Sequence, residues 1–185
     1  MKAVRYHSYG DSGVLVYEEA ERPVAGPGQV VLKVAGTAFN PLDVAIRAGF
    51  VQQVYPVAFP HIPNYEVAGV ITEAGEGVSG WSAGDPVVAF LPVTAPGAAA
   101  EYAAAPAEAL AAAPRAVELA DAAALPSAGT TAWQSAASLG EYPRHPLAPT
   151  ASSPRRGHGA LASLWVTDER NPQGGNSHRY VVNTR

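Results

Sequence analysis

Glycine and proline cut the first hundred residues into short apolar runs, and this punctuation limits the chain to a fold built from short strands. Of 185 residues, 18 are Gly and 17 are Pro. Strands are predicted over Lys2–Tyr6, Val14–Glu19, Val30–Phe39, Val67–Ala74, Pro86–Leu91 and Ala99–Ala104, with a turn at Gly26-Pro27-Gly28. One break in the pattern is Pro41–Ala48, which reads as a short helix capped by Asn40 with proline at its first position. From Asp121 the period changes to helical: Asp121 is the expected cap, apolar positions run through Ala124, Leu125, Ala128, Ala132 and Trp133 to Leu139, and Gly140 is the stop. Pro126 falls in the first turns and predicts a kink or a split. The fold class is therefore mainly β with a few helices: a barrel-like domain over 1–120, then a helix over 121–140.

Gly75-Glu76-Gly77-Val78-Ser79-Gly80 satisfies the pattern G-x-G-x-x-G and follows a predicted strand. A dinucleotide fingerprint needs a helix next, because the helix N-terminus holds the pyrophosphate. Trp81-Ser82-Ala83-Gly84-Asp85-Pro86 is turn chemistry instead, and Glu76 would set a carboxylate beside the phosphates. The run is predicted to be a glycine-rich hairpin joining strands 67–74 and 86–91.

A seam lies near residue 140. Residues 1–140 carry six basic and thirteen acidic side chains, net −7, whereas 141–185 carry six Arg and three acids, net +3. The second segment has no Lys, five Pro, and the run Ser152-Ser153-Pro154-Arg155-Arg156-Gly157-His158-Gly159. With so few branched apolar residues it cannot offset its ordering entropy by burial. It reads as a disordered, solvated tail in which only Ala160–Val166 and Tyr180–Val182 are suited to local structure.

Several chemistries find no support. Cysteine is absent, which removes disulfides, thiol nucleophiles and Cys-ligated zinc. The five His are scattered without metal-ligand spacing, so no metal site is expected, and no Gly-x-Ser-x-Gly elbow is present. Glu18-Glu19 reads as a solvated strand end and not as an acid/base pair. A net charge of −4 gives no reason to expect nucleic acid as a partner. The N-terminus lacks an apolar signal region, and the longest apolar stretch, 95–113, is broken by Glu101, Pro106 and Glu108, well short of the roughly 20 residues of a membrane span. No membrane is expected, and a cytoplasmic location is.

Ordered segments carry a family resemblance. They are Met1-Lys2-Ala3-Val4-Arg5, Pro27-Gly28-Gln29-Val30-Val31, Phe39-Asn40-Pro41-Leu42-Asp43 with Ile46-Arg47-Ala48-Gly49, Pro63-Asn64-Tyr65-Glu66-Val67-Ala68-Gly69-Val70-Ile71, Gly84-Asp85-Pro86-Val87, Ala124-Leu125-Pro126 and Gly129-Thr130-Thr131-Ala132-Trp133. In this order they resemble the zinc-free quinone oxidoreductase (zeta-crystallin-like) branch of the medium-chain dehydrogenase/reductase superfamily, over about residues 1–140. The resemblance implies a GroES-like β-barrel catalytic domain, normally continued by a Rossmann domain after the Gly-Thr-Thr-Ala-Trp helix. It also implies NADPH bound between the two domains, no zinc, and hydride transfer to a quinone, enone or similar carbonyl compound.

By motif position, the resemblance makes Asn40 the catalytic residue beside nicotinamide and substrate, and Thr131 a second contact to the cofactor. Asp43 and Arg47 would shape the substrate cleft. Each has a structural reading as well: a helix cap for Asn40, an ion pair at i, i+4 for Asp43 and Arg47, and helix packing for Thr131. Hydride transfer asks for alignment and hydrogen-bond donors at the developing oxyanion, and an Asn amide supplies such a donor.

The chain departs from the family at Asn64, where Gly is usual; Asn tolerates positive φ better than other residues with a side chain. The aromatic often found in the substrate wall is Ala45 or Val51 here. After Gly140 the expected strand and glycine loop are replaced by the arginine-rich segment, so no complete Rossmann domain is expected. The chain reads as a truncated catalytic domain, inactive alone, with an incomplete dinucleotide site. An alternative reading is a non-catalytic GroES-like binding or assembly module, or a non-functional fragment made by a shifted reading frame. Apolar surface left uncovered at the barrel predicts self-association or a homodimer.

Overall fold

A computed structural model describes residues 1–138, 163–167 and 179–183, in two compact units, Met1–Pro126 and Ser127–Arg185. In the first unit the strands are β1 (Lys2–Arg5), β2 (Val16–Glu19), β3 (Gln29–Ala38), β4 (Glu66–Ala74), β5 (Pro86–Phe90), β6 (Tyr102–Pro106) and β7 (Leu110–Ala112), with helix α1 (Pro41–Arg47) between β3 and β4. Helix α2 (Leu125–Ser138) crosses the boundary between the units, and β8 (Ser163–Thr167) and β9 (Arg179–Asn183) lie in the second.

Five strands form one antiparallel sheet in the order β6-β3-β4-β5-β7, and β1 pairs with β2 in a separate ribbon. Alternation fills the core as a pleat requires. Val30 and Leu32 of β3, Val67 and Ile71 of β4, and Val87 and Ala89 of β5 belong to a single buried cluster. Each such aliphatic side chain contributes about 1.5–3 kcal/mol on leaving water. β3 shifts register against β4 between Val31 and Leu32 and again between Val34 and Gly36, and such irregularities bend a strand and increase its twist.

β4 and β5 pair antiparallel, Glu66 opposite Phe90 and Val70 opposite Pro86. The glycine run is thus the hairpin connection, with Gly77, Gly80 and Gly84 at positive φ. Ser82 N–H donates to Asp85 Oδ2 at 2.8 Å, and the residues after Gly80 turn back into β5. No helix follows the run.

Four expectations need correction. The second strand begins at Val16, because Asp11 caps a 3-10 turn over Ser12–Val14. Tyr6 lies beyond β1 and forms only an isolated bridge with His61. The sixth strand begins at Tyr102 and runs on to Pro106. Asp121 does not cap the helix: it opens a 3-10 turn, Asp121–Ala124, whose cap residue is Ala120 and which has no side-chain cap. The α-helix itself begins at Leu125, so the split falls at Pro126, where a proline is tolerated only in the first turn. β7 has no counterpart among the expectations. In the tail, the two segments marked as suited to local structure pair as antiparallel β8 and β9. The expected disorder of the rest of 141–185, and the stop at Leu139-Gly140, lie outside the described residues.

Candidate active site

β3 ends at Ala38, and Asn40 turns the chain into α1. Asn40 is extended (φ −135°, ψ 171°) and caps the helix: its Oδ1 accepts from Leu42 N–H at 2.9 Å, while its own N–H donates to Asp43 Oδ2 at 2.8 Å. This reciprocal capping box satisfies donors that the first helical turn would otherwise leave orphaned. The remaining end of the side chain, Nδ2, donates to Glu66 Oε1 at 3.0 Å. Asn40 as a whole residue is half-buried.

Asp43 and Arg47 do not pair with each other. Asp43, 1% exposed, gives one oxygen to Asn40 N–H and the other to Asn64 N–H at 3.0 Å. Burial raises its pKa above the ordinary carboxylate value, against the opposing pull of those backbone donors. Arg47 Nη1 donates to Gly10 O at 2.9 Å, Gly10 N–H donates back to Arg47 O at 3.0 Å, and the buried Nε has no partner. Long-range backbone groups thus outcompete the local i, i+4 partner.

Asn64 sits at φ 69°, the left-handed turn that brings Glu66 to the start of β4. Glu66 is buried, and its backbone carbonyl accepts from Thr37 Oγ1 at 2.7 Å. Below α1 lies an aromatic layer. The Tyr6 ring meets Phe59 edge-on at 5.8 Å and His61 at 5.4 Å, and His61 Nε2 lies 3.2 Å from the Tyr65 hydroxyl. Burial pushes the Tyr6 hydroxyl up to about 12, raises Tyr65 as well, and lowers His61 to about 4. These groups are neutral near pH 7.

Thr131 lies on α2 in the other unit, with its side chain exposed. Asn40, Asp43 and Arg47 are therefore brought together on α1, and Thr131 is described apart from them. Sequence reasoning missed Glu66 as a functional residue. The available signal was an acidic residue heading an otherwise apolar strand, Glu66-Val67-Ala68-Gly69-Val70-Ile71. Among the described residues no three His, Asp or Glu side chains gather as a metal site, and no described helix is long and apolar enough to cross a membrane.

Residues 26–115, which hold the five-stranded sheet and α1, match the alcohol dehydrogenase GroES-like domain family. The chloroplast envelope quinone oxidoreductase homolog of Arabidopsis thaliana is 42% identical over 136 residues, covering 72% of this chain and 41% of the relative. A second relative from Arabidopsis, the chloroplastic NADPH-dependent alkenal/one oxidoreductase, is 37% identical over 140 residues, 71% of this chain and 36% of its own length. The solved quinone oxidoreductase of Coxiella burnetii superposes with a TM-score of 0.70 at 28% identity, covering 75% of this chain and 44% of that one. Residues 26–115 thus carry the alcohol dehydrogenase GroES-like domain, and the chain is similar to quinone oxidoreductases over most of its described length. It spans about two fifths of the length of these curated relatives.

Proposed function

We propose that this chain supplies the substrate half of an NADPH-dependent, zinc-independent reductase acting on a quinone, enone or similar carbonyl compound. The observation that carries the reading is the amide of half-buried Asn40: its oxygen is committed to the helix cap, and its nitrogen gives one proton to Glu66 and keeps a second as a hydrogen-bond donor. A fixed donor of this kind stabilises negative charge that develops on a carbonyl oxygen. NADPH, when bound, supplies the hydride. Asp43 holds the turn that sets Asn40 in place, Arg47 clasps α1 to the Gly10 loop, and Thr131 would meet the nicotinamide end from α2.

The fit to NADPH is partial. Asn40 offers an amide donor suited to the nicotinamide end, but the glycine run is a hairpin connection and so supplies no helix N-terminus for the diphosphate. We therefore take the chain to be inactive by itself. The same reading has it acting on a small molecule in the cytoplasm, with neither nucleic acid nor membrane as partner, and associating with itself through uncovered apolar surface.

The test has two arms. NADPH fluorescence is titrated with the chain alone, and oxidation of NADPH by 1,4-benzoquinone is followed; neither saturable binding nor turnover is expected. Residues 1–138 are then fused to the dinucleotide-binding part of the Arabidopsis quinone oxidoreductase homolog. Quinone-dependent NADPH oxidation by the fusion supports the proposal, whereas a folded, NADPH-binding fusion that reduces no quinone or enone refutes it and favours a non-catalytic module.

A further inference from the structure

Glu66 has no role in the reading above, yet among the described residues its side chain is the one that accepts from Asn40 Nδ2. It heads β4, is 3% exposed, and pairs in register with Ala38 of β3 on one side and Phe90 of β5 on the other. Its backbone carbonyl is tied to Thr37. Two flanking strands therefore fix the backbone from which its side chain reaches Asn40.

An Asn side chain has an oxygen and an NH2 group of nearly equal size, and its orientation is decided by its partners alone. At Asn40 both partners point to one answer. Leu42 N–H can only donate, so it selects the oxygen; Glu66 Oε1 stands as an acceptor 3.0 Å from the other end, so it selects the nitrogen. Turning the amide over would set oxygen against carboxylate and NH2 against N–H, losing two hydrogen bonds and creating two repulsions. In the observed orientation one proton of Nδ2 is used by Glu66, and no described residue accepts the other.

We infer that Glu66 is a positioning residue: it locks the Asn40 amide so that the only group left for a ligand is an N–H donor. This rests on the proposed reductase reading for its purpose but not for its geometry. A donor-only site favours acceptors, such as carbonyl oxygens and the oxyanion formed when they are reduced, and disfavours alcohols or amines that must donate. The capping box alone would not achieve this, because it constrains the oxygen and leaves the nitrogen end unselected.

The experiment is a 1H-15N spectrum of the side-chain amides in the full chain, with Asn40 assigned by the loss of its pair in Asn40→Asp. The two Nδ2 protons of Asn40 should be widely separated, one shifted downfield by the carboxylate and slow to exchange. Glu66→Gln, which keeps an acceptor oxygen, should preserve that separation; Glu66→Met, which keeps volume but no acceptor, should collapse it to that of exposed Asn side chains. An unchanged separation in Glu66→Met, with the backbone spectrum otherwise preserved, overturns the inference. Should Glu66→Met not fold, the unmodified chain decides: an Asn40 pair spaced and exchanging like exposed Asn overturns it as well. None of these readouts depends on NADPH or quinone, so a failed fusion assay with a locked amide would refute the function alone.

Discussion

Asp43 accepts the backbone N–H of Asn64 at 3.0 Å with one oxygen, while its other oxygen closes the capping box on Asn40 at 2.8 Å. A single buried carboxylate thus ties the start of α1 to the turn that launches β4. The two residues joined by the Asn40–Glu66 hydrogen bond are both positioned by it.

Asp43→Asn should be destabilising although it is nearly isosteric. An amide offers one acceptor oxygen where two backbone donors need one each. Leaving one buried N–H unmet costs about 1–3 kcal/mol, and urea unfolding of the two proteins side by side would show it. Equal midpoints would mean that water replaces the lost acceptor.

Asn64 separates backbone strain from side-chain chemistry. Its φ of 69° is costly for most residues with a Cβ and free for glycine. Asn64→Ala should lose about 1 kcal/mol by thermal or urea unfolding, and Asn64→Gly should match the parent or exceed it. The reverse order would show that the Asn side chain, and not the backbone angle, is what the position requires.

The glycine run makes a contrasting pair. A Cβ at Gly75 would collide with the backbone of Gly26, whereas one at Gly77 or Gly80 meets nothing but carries a positive φ. Gly75→Ala should therefore cost about 3 kcal/mol, at the upper end for an overpacked site, and Gly77→Ala or Gly80→Ala about 1 kcal/mol. In the fusion protein, NADPH affinity should be unchanged by Gly77→Ala and Gly80→Ala. A large loss of affinity there would restore the phosphate-cradle reading of these glycines.

Stability should fall as the solution is acidified below pH 6.5, because of His61. Its folded-state pKa is lowered to about 4 by burial. Between about 4 and 6.5 the unfolded chain takes up a proton that the folded chain does not, so acid favours unfolding. The contribution is complete above 6.5, declines as pH drops, and levels off below about 4. Its full size is about 2 kcal/mol after allowance for partial solvation. Asp43, with its raised pKa, acts in the opposite sense, which is why a comparison with His61→Gln between pH 7.5 and 4.5 isolates the histidine. An identical pH slope in both proteins would reject this account.

Asn40→Ser asks whether capping and chemistry can be parted. Serine caps a helix as well as Asn does, so stability should change by only a few tenths of a kcal/mol. It cannot place an N–H where the Asn40 amide does, and quinone reduction by the fusion should fall by about 10²-fold with NADPH affinity retained. Loss of affinity and rate together would move Asn40 from the acceptor side of the site to the cofactor side.

Local chemistry was readable from the sequence where it was self-contained. Asn40 followed by Pro41 announces a capped helix because both requirements lie within one turn, and Trp81–Asp85 announces a turn in the same way. Relationships across the sheet were not readable. Glu66 reaches Asn40 from 26 residues away, and Asp43 turned to Asn64, not to Arg47, because buried backbone donors outbid a surface-type ion pair. β7, Leu110-Ala111-Ala112, carries no β-branched side chain and forms only because β5 offers it an edge. Asp121 failed as a cap because the chain was already turning at Ala120.

The two register shifts in β3 have a further consequence. They divide one ten-residue strand into a stretch that feeds the hydrophobic interior through Val30 and Leu32 and a stretch, from Gly36 to Ala38, that leads into Asn40. Each stretch can drift under separate selection, since a change in one need not propagate past the irregularity into the other. A substitution after Gly36 therefore bears on how Asn40 is presented, while the foundation laid by Val30 and Leu32 stays untouched.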